Sequence, residues 1–97
     1  MIKYLEKESD FQELTKEGLV LVDFYADWCG PCKMLGEELE KLDDIDIIKV
    51  NTDSFMDIAL KHGVMSIPAL FLYKDGNIIK NNVGYLNYGE LVNFVKE

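Results

Sequence analysis

The sequence predicts an α/β fold, in which a mostly parallel sheet is packed between helices. One observation is the run Leu19–Tyr25, which is nearly continuously apolar and aromatic, as in a strand covered on both faces. A second is the alternation of strand and helix patterns that follows this run. The third is Asp75-Gly76 between two apolar runs, a pair that favours a tight hairpin.

The length and composition predict one domain, residues 1–97, with a single modest core. With 48% hydrophobic and 29% charged residues, the chain has the composition of an ordinary globular protein. Its 18 acidic residues against 10 basic ones give a net charge of −8. Such a charge repels phosphate, so we expect neither nucleic acid nor an anionic membrane as a partner.

The pattern of the first half of the chain predicts two helices and two strands. Ser9 and Gln12 have the spacing of a capping box and Gly18 can end a helix, which predicts a helix over residues 9–17. Leu19–Tyr25 is predicted to be the central strand. An amphipathic helix that ends near residue 43 follows, with the two cysteines in its first turn. Residues 45–50 then predict a second strand.

The second half of the chain begins with a capped helix over residues 54–62, closed by Gly63. The runs 69–73 and 78–83 predict an antiparallel hairpin around the turn 74–77. Asn87 can cap a final helix whose apolar side chains face inward.

The N-terminal residues indicate no targeting segment. Charges come early, no apolar stretch is long enough for a signal peptide, and no later run approaches the roughly eighteen residues of a membrane span. We therefore expect a cytoplasmic protein.

Cys29 and Cys32 are the candidate chemical groups. In a reducing compartment, a Cys-x-x-Cys pair points to metal binding or to redox chemistry. A closed zinc site needs four ligands and the only histidine, His62, is distant in sequence, so no metal is expected. At the start of a helix, unpaired N–H groups and the helix dipole stabilise a thiolate, which predicts that Cys29 is a nucleophile and that Cys32 stays a thiol.

Asp23 is the third candidate, because a carboxylate inside an apolar strand is expensive to bury in its ionised form. Burial should raise its pKa toward neutrality, where it can exchange protons with Cys32. The alternative is an aspartate at the strand end that reaches water or a backbone N–H.

The segment Val22–Lys33 resembles the active-site segment of the thioredoxin family. Further matches follow in the family's order and at its spacing, at 49–53, 66–69, 74–76 and 83–84. The resemblance implies a thioredoxin fold, which is a central mixed parallel and antiparallel sheet of about five strands flanked by about four helices. It implies no bound cofactor, only a redox-active Cys29–Cys32 dithiol or disulfide.

The resemblance also implies individual roles. Cys29 attacks a target disulfide, Cys32 resolves the mixed disulfide, and Lys49 approaches Asp23, although a solvated lysine at a strand edge is the competing interpretation. A cis peptide bond precedes Pro68, which leaves the backbone of Ile67 free to pair with an extended target. The remaining groove residues are Trp28, Gly30, Pro31, Val83 and Gly84, with ordinary core packing as the alternative for Trp28, Ile67 and Val83.

The implied partners are disulfide-containing target proteins and an NADPH-dependent thioredoxin reductase, and the protein is expected to be a monomer. Two other functions compete with this one. A glutaredoxin-like enzyme would use glutathione, and a non-catalytic module would serve as a subunit of a larger assembly.

The chain departs from the family pattern at four places. Gly36-Glu37 stands where a helix-kinking proline is common, so the shape of that helix is open. Tyr25 replaces a frequent tryptophan, Met65 a basic residue, and Ala69 a threonine. These differences bear on partner preference.

Overall fold

The computed structural model describes residues 1–97. Five strands form one sheet in the order β1-β3-β2-β4-β5. The strands β1 to β3 run parallel, β4 is antiparallel to β2, and β5 is antiparallel to β4. In chain order the strands are β1 (Ile2–Tyr4), β2 (Leu19–Tyr25), β3 (Asp46–Asn51), β4 (Ala69–Lys74) and β5 (Asn77–Val83). The mixed five-stranded sheet with a central Leu19–Tyr25 strand is confirmed.

Four α-helices cover the sheet: α1 (Phe11–Thr15), α2 (Gly30–Leu39), α3 (Met56–Lys61) and α4 (Tyr88–Phe94). The capping box expected at Ser9 is wrong, because that residue lies in a 3-10 turn and α1 begins after Asp10 without a side-chain cap. The cap expected at Asn87 is confirmed, since its side chain accepts from the Glu90 N–H while Glu90 accepts from the Asn87 N–H. No helix is long and apolar enough to cross a membrane.

The predicted hairpin joins β4 to β5 through Asp75 and Gly76. Their φ angles are 49° and 85°, so both residues are in the left-handed region. Two positive φ angles in a two-residue loop match the twist of the flanking strands, which is why Asp-Gly is favoured there.

Alternation along the strands divides the core into two layers. Even-numbered side chains of β2, among them Val20, Val22 and Phe24, pack on the side of α1 and α3. Odd-numbered ones, such as Leu21, pack on the side of α2 and α4 with the α2 residue Leu35. The same alternation sets Asp23, at an odd position of β2, on the α2 side of the sheet.

Candidate active site

Cys29 and Cys32 lie where the loop after β2 enters α2. Cys29 is the N-cap of the helix, and its Sγ accepts the backbone N–H of Cys32 at 3.2 Å. The two residues form a disulfide, with their Cα atoms 5.2 Å apart. Pro31 lies between them in the first turn, where it lacks an N–H that has no partner in a helix anyway. An N–H donor and the helix dipole therefore act directly on the Cys29 sulfur.

Both cysteines are buried and pack with Ala26, against partly buried Tyr25 and Ile67. The Cys29 Sγ lies 4.0 Å from the carbonyl oxygen of Ile67. The cysteine turn thus faces the loop that precedes β4.

That loop contains a cis peptide bond between Ile67 and Pro68, as the resemblance implies. The Gly84 N–H donates to the Pro68 carbonyl at 2.8 Å, which ties the end of β5 to the loop. Neither the N–H nor the carbonyl of Ile67 takes part in a backbone–backbone hydrogen bond. Both groups are consequently without a backbone partner in this structure.

The surface around this loop is apolar. Trp28 is 72% exposed and Val83 is 65% exposed, which excludes core packing for both side chains. The indole N–H of Trp28 donates to Asp53 Oδ2 at 3.0 Å, so the ring is held in place on the surface. A Cβ added to Gly30 or to Gly84 would meet no heavy atom within 4 Å, so these two positions leave open space beside the cysteines.

Beyond Trp28 the surface continues into a cavity of about 470 Å³ between the loop and α3. Ile67 and Trp28 line its near end, and exposed Met56, Leu60 and Met65 line the rest. Sequence reasoning missed Met56 and Leu60. Their signal was an i, i+4 pair of apolar residues on a helix whose opposite face already supplied the core.

Asp23 is completely buried, and neither of its carboxylate oxygens has a hydrogen-bond partner. Lys49 Nζ lies 3.3 Å from Oδ2 as an ion pair whose alignment does not make a hydrogen bond. Loss of solvation raises the pKa of Asp23 from 3.8 to about 6, and the charge of Lys49 opposes this rise. An aspartate that reaches water or a backbone N–H is therefore excluded.

Lys49 is the direct partner of Asp23 in the β2·β3 register, and its side chain is only 9% exposed. The interpretation as a solvated strand-edge lysine is thereby excluded. Its Nζ lies 4.7 Å from the ring centroid of Tyr25 and 5.6 Å from that of Tyr4. Sequence reasoning did not anticipate Tyr4, because it did not recognise β1 as a strand.

Gly36, at one of the departures from the family pattern, is adjacent to the same ammonium. A Cβ added there would lie 3.2 Å from Lys49 Nζ. The helix α2 runs without interruption from Gly30 to Leu39. In this chain the missing side chain provides room for Lys49.

His62 lies on the other side of the sheet, where its ring contacts Phe24 and Phe71. No group of three His, Cys, Asp or Glu side chains is arranged to hold a metal ion.

Comparison with known proteins gives one family. The family model described as Thioredoxin matches residues 2–97. Thioredoxin of Bacillus subtilis is 45% identical over 83 residues, which is 80% of each chain. Thioredoxin of Chlamydia trachomatis is 39% identical over 101 residues, covering 100% of this chain and 98% of the relative.

Solved structures agree with the sequence relatives. The oxidized form of mitochondrial thioredoxin 3 from Saccharomyces cerevisiae superposes with a TM-score of 0.86 at 35% identity, covering 97% of this chain and 92% of that one. A thioredoxin from Malassezia sympodialis gives a TM-score of 0.85 at 29% identity, covering 98% and 88%. A Cys-Gly-Pro-Cys disulfide at the start of α2, together with a match along almost the whole chain, makes this protein a thiol–disulfide oxidoreductase of the thioredoxin family.

Proposed function

We propose that the protein reduces disulfides in target proteins, with Cys29 as the nucleophile and Cys32 as the resolving thiol. The Cys29 thiolate attacks one sulfur of the target disulfide, and the other target sulfur leaves as a thiolate. The Cys32 thiolate then attacks Cys29 Sγ and releases the first target sulfur. The target gains two electrons, and the protein is left with the Cys29–Cys32 disulfide.

The observation that carries this assignment is the position of Cys29 as the N-cap of α2. Its sulfur accepts the Cys32 N–H at 3.2 Å, and in the reduced protein the same donor would stabilise a thiolate at Cys29. Cys32 lies within the helix and receives no such donor. The two thiols therefore differ in acidity, as the two steps require.

Asp23 is proposed to accept the proton that Cys32 loses before it attacks. A carboxyl group with a pKa of about 6 is ionised at neutral pH and is a stronger base than an ordinary aspartate. A cavity of about 430 Å³ is lined by Cys32 and by Lys49, the ion-pair partner of Asp23. The proton would pass from Cys32 through water in this cavity to Lys49, whose ammonium lies 3.3 Å from Asp23 Oδ2 and would relay a proton to it.

Targets are proposed to bind as an extended segment beside the cis-proline loop. The unpaired N–H and carbonyl of Ile67 would add the segment as a further strand, as in β-augmentation. Exposed and half-buried groups would contact the target side chains on either side of its cysteine, and they belong to Trp28, Gly30, Pro31, Ile67, Val83 and Gly84. Pro68 is itself buried, so its proposed part in target binding is to hold the backbone of Ile67 in place.

The proposed electron donor is an NADPH-dependent thioredoxin reductase, and the proposed working form is a monomer in the cytoplasm. Membership of the thioredoxin family supports the donor. The Gly30-Pro31 pair supports a reductant, because a histidine between the cysteines would stabilise the thiolate further and make the disulfide more oxidising.

The first test is the equilibrium reduction potential of the Cys29–Cys32 pair, measured by thiol trapping in defined dithiol–disulfide buffers. A value well below about −240 mV supports a reductant, and a value near −120 to −180 mV contradicts it in favour of an oxidase or isomerase. Turnover with glutathione but with no thioredoxin reductase would favour the glutaredoxin-like alternative.

The two cysteine roles are tested by trapping. Cys32→Ser should still attack a target disulfide and accumulate the mixed disulfide, whereas Cys29→Ser should do neither. Accumulation with Cys29→Ser instead would reverse the assignment. If both variants keep full biological activity, the non-catalytic module becomes the better description.

A further inference from the structure

Three side chains lie in one row across three strands on the α2 side of the sheet, and a fourth lies next to the row. Tyr4 of β1 pairs directly with Lys49 of β3, and Lys49 pairs directly with Asp23 of β2. Tyr25 is two residues after Asp23, so it emerges on the same face. The Lys49 ammonium is thereby enclosed between a carboxylate and two aromatic rings.

The two rings form a corner around the ammonium. They meet edge to face with centroids 6.0 Å apart and planes at 84°. Both centroids lie within the roughly 6 Å at which a ring attracts a cation. Burial raises the pKa of the Tyr25 hydroxyl, so the ring is neutral at working pH. On the helix side, the ammonium is adjacent to the backbone of Gly36, which has no side chain to displace it.

Other carboxylates line the same cavity as the Lys49 ammonium. The cavity that Lys49 lines also carries charged and titratable groups from each element around it, namely Tyr4, Tyr25, Asp27, Lys33, Glu37 and Glu40. Glu37 and Glu40 are exposed to solvent, where an ammonium keeps much of its hydration. A lysine side chain is long and flexible enough to adopt either of two conformations, one with its ammonium beside a buried acid and one with its ammonium beside an exposed acid.

We propose that Tyr4 and Tyr25 are positioning residues, which hold the Lys49 ammonium beside buried Asp23 and away from Glu37 and Glu40. We call the Tyr4 and Tyr25 rings, with the ammonium between them, the clamp. Its importance for turnover rests on the proposed function, in which Asp23 takes part in the resolution step. The clamp itself is a property of the oxidised, resting protein.

The clamp acts through charge. With the ammonium in place, the ionised form of Asp23 gains an attraction that partly offsets its loss of solvation. Without the rings the ammonium turns toward Glu37 and Glu40, and Asp23 loses that attraction. Asp23 then holds its proton to a higher pH.

The test is the pKa of Asp23 in the oxidised protein. It is measured by NMR, from the pH dependence of the ¹³C chemical shift of the Asp23 carboxyl carbon. The signal is assigned by its absence from the spectrum of Asp23→Asn. In the disulfide form neither cysteine titrates. We expect Tyr25→Leu to raise this pKa by about half a unit, and Tyr25→Phe, which keeps the ring, to leave it unchanged. Tyr4→Leu and Tyr4→Phe repeat the comparison at an exposed edge-strand position if Tyr25→Leu does not fold.

A double-mutant cycle separates the clamp from simple packing. Lys49→Met alone should raise the pKa of Asp23, and adding Tyr25→Leu to it should cause no further rise. In the Tyr25→Leu background, the pair Glu37→Gln and Glu40→Gln should lower the pKa back toward the parent value. A Tyr25→Leu effect that persists in full without Lys49, or an equal effect of Tyr25→Phe, would overturn the proposal.

This readout is independent of the proposed function. The pKa is measured without a target protein, so it stands or falls whether or not Asp23 serves Cys32. If the pKa responds to the Tyr25 variants as expected but the rate of resolution does not change, the proposed role of Asp23 in resolution is wrong. The proposal that the rings position Lys49 then still holds.

Discussion

Asp23 and Lys49 are buried neighbours whose charged groups lie 3.3 Å apart, and yet Asp23 holds its proton more tightly than a solvated aspartate. The desolvation of the carboxylate outweighs the attraction of the ammonium, so its pKa rises to about 6 instead of falling. A buried ion pair of this kind places a group that titrates near neutrality under the active-site helix.

The first prediction concerns stability and pH. Folded Asp23 has a pKa of about 6 against 3.8 for an ordinary aspartate, so its contribution to stability is present in full below pH 3.8 and is lost as the pH rises through about 6. Relative to Asp23→Asn, the parent should therefore lose about 1.5 kcal/mol of unfolding free energy between pH 5 and pH 8. Urea denaturation of the oxidised proteins measures this difference.

Asp43→Asn is the matched control, because Asp43 is an exposed acid in the loop after α2 and its loss removes the same formal charge. Its stability difference from the parent should stay flat over the same pH range. A flat difference for Asp23→Asn as well would contradict the raised pKa.

The second prediction concerns the two chemical steps. Asp23→Asn should slow release of the target from the mixed disulfide by about tenfold or more, while the initial attack by Cys29 changes little. In the parent, resolution should slow as the pH falls through about 6, since Asp23 is then protonated. Single-turnover kinetics with a preformed Cys29 mixed disulfide measures the step directly, and equal slowing of attack and resolution would count against the role.

The elements that carry a strong local pattern were predictable. Leu19–Tyr25 shows its burial as an apolar run, Asp75-Gly76 specifies its own turn, and Asn87 and Glu90 form a complete capping box. Each of these signals is contained within a few residues. The cysteine pair belongs with them, because its chemistry depends on a short spacing at a helix start.

Features that depend on pairing across the sheet were not predictable from one sequence. The strand β1 has only three residues, and it is defined by its register with β3 and not by a pattern of its own. Without β1, Tyr4 has no assigned neighbour and the surroundings of Lys49 are incomplete. The resemblance implies that Lys49 approaches Asp23, whereas the pattern alone also allows a solvated lysine at a strand edge.

The third prediction concerns His62. Its Nδ1 lies 2.8 Å from the Ile58 carbonyl, which only accepts, so Nδ1 donates there and Nε2 pairs with the Tyr73 hydroxyl. Tyr73→Phe leaves Nε2 without a hydrogen-bond partner and should cost about 1 kcal/mol of unfolding free energy. Tyr88→Phe, at an exposed position on α4, is the control and should change stability by less than about 0.5 kcal/mol. Equal losses in the two variants would show that the His62 contact contributes nothing.

The last prediction concerns target choice. Met65 is 97% exposed at the rim of the apolar cavity beside Trp28, so replacing it disturbs almost no packing within the protein. In a chain of net charge −8, a lysine at this rim should attract acidic target segments that the parent repels. It should also remove an apolar contact for targets that place a leucine there.

We expect Met65→Lys to raise kcat/KM about threefold for peptide disulfides with acidic residues beside the reactive cysteine, and to lower it by a similar factor for leucine-flanked ones. The gain should shrink as salt is added, because exposed charges are screened. Ile79→Lys makes the same change of charge on β5, outside the cavity, and should shift both peptides equally if at all. Identical profiles for the two variants would mean that net charge alone selects targets and that the rim at Met65 takes no part in binding them.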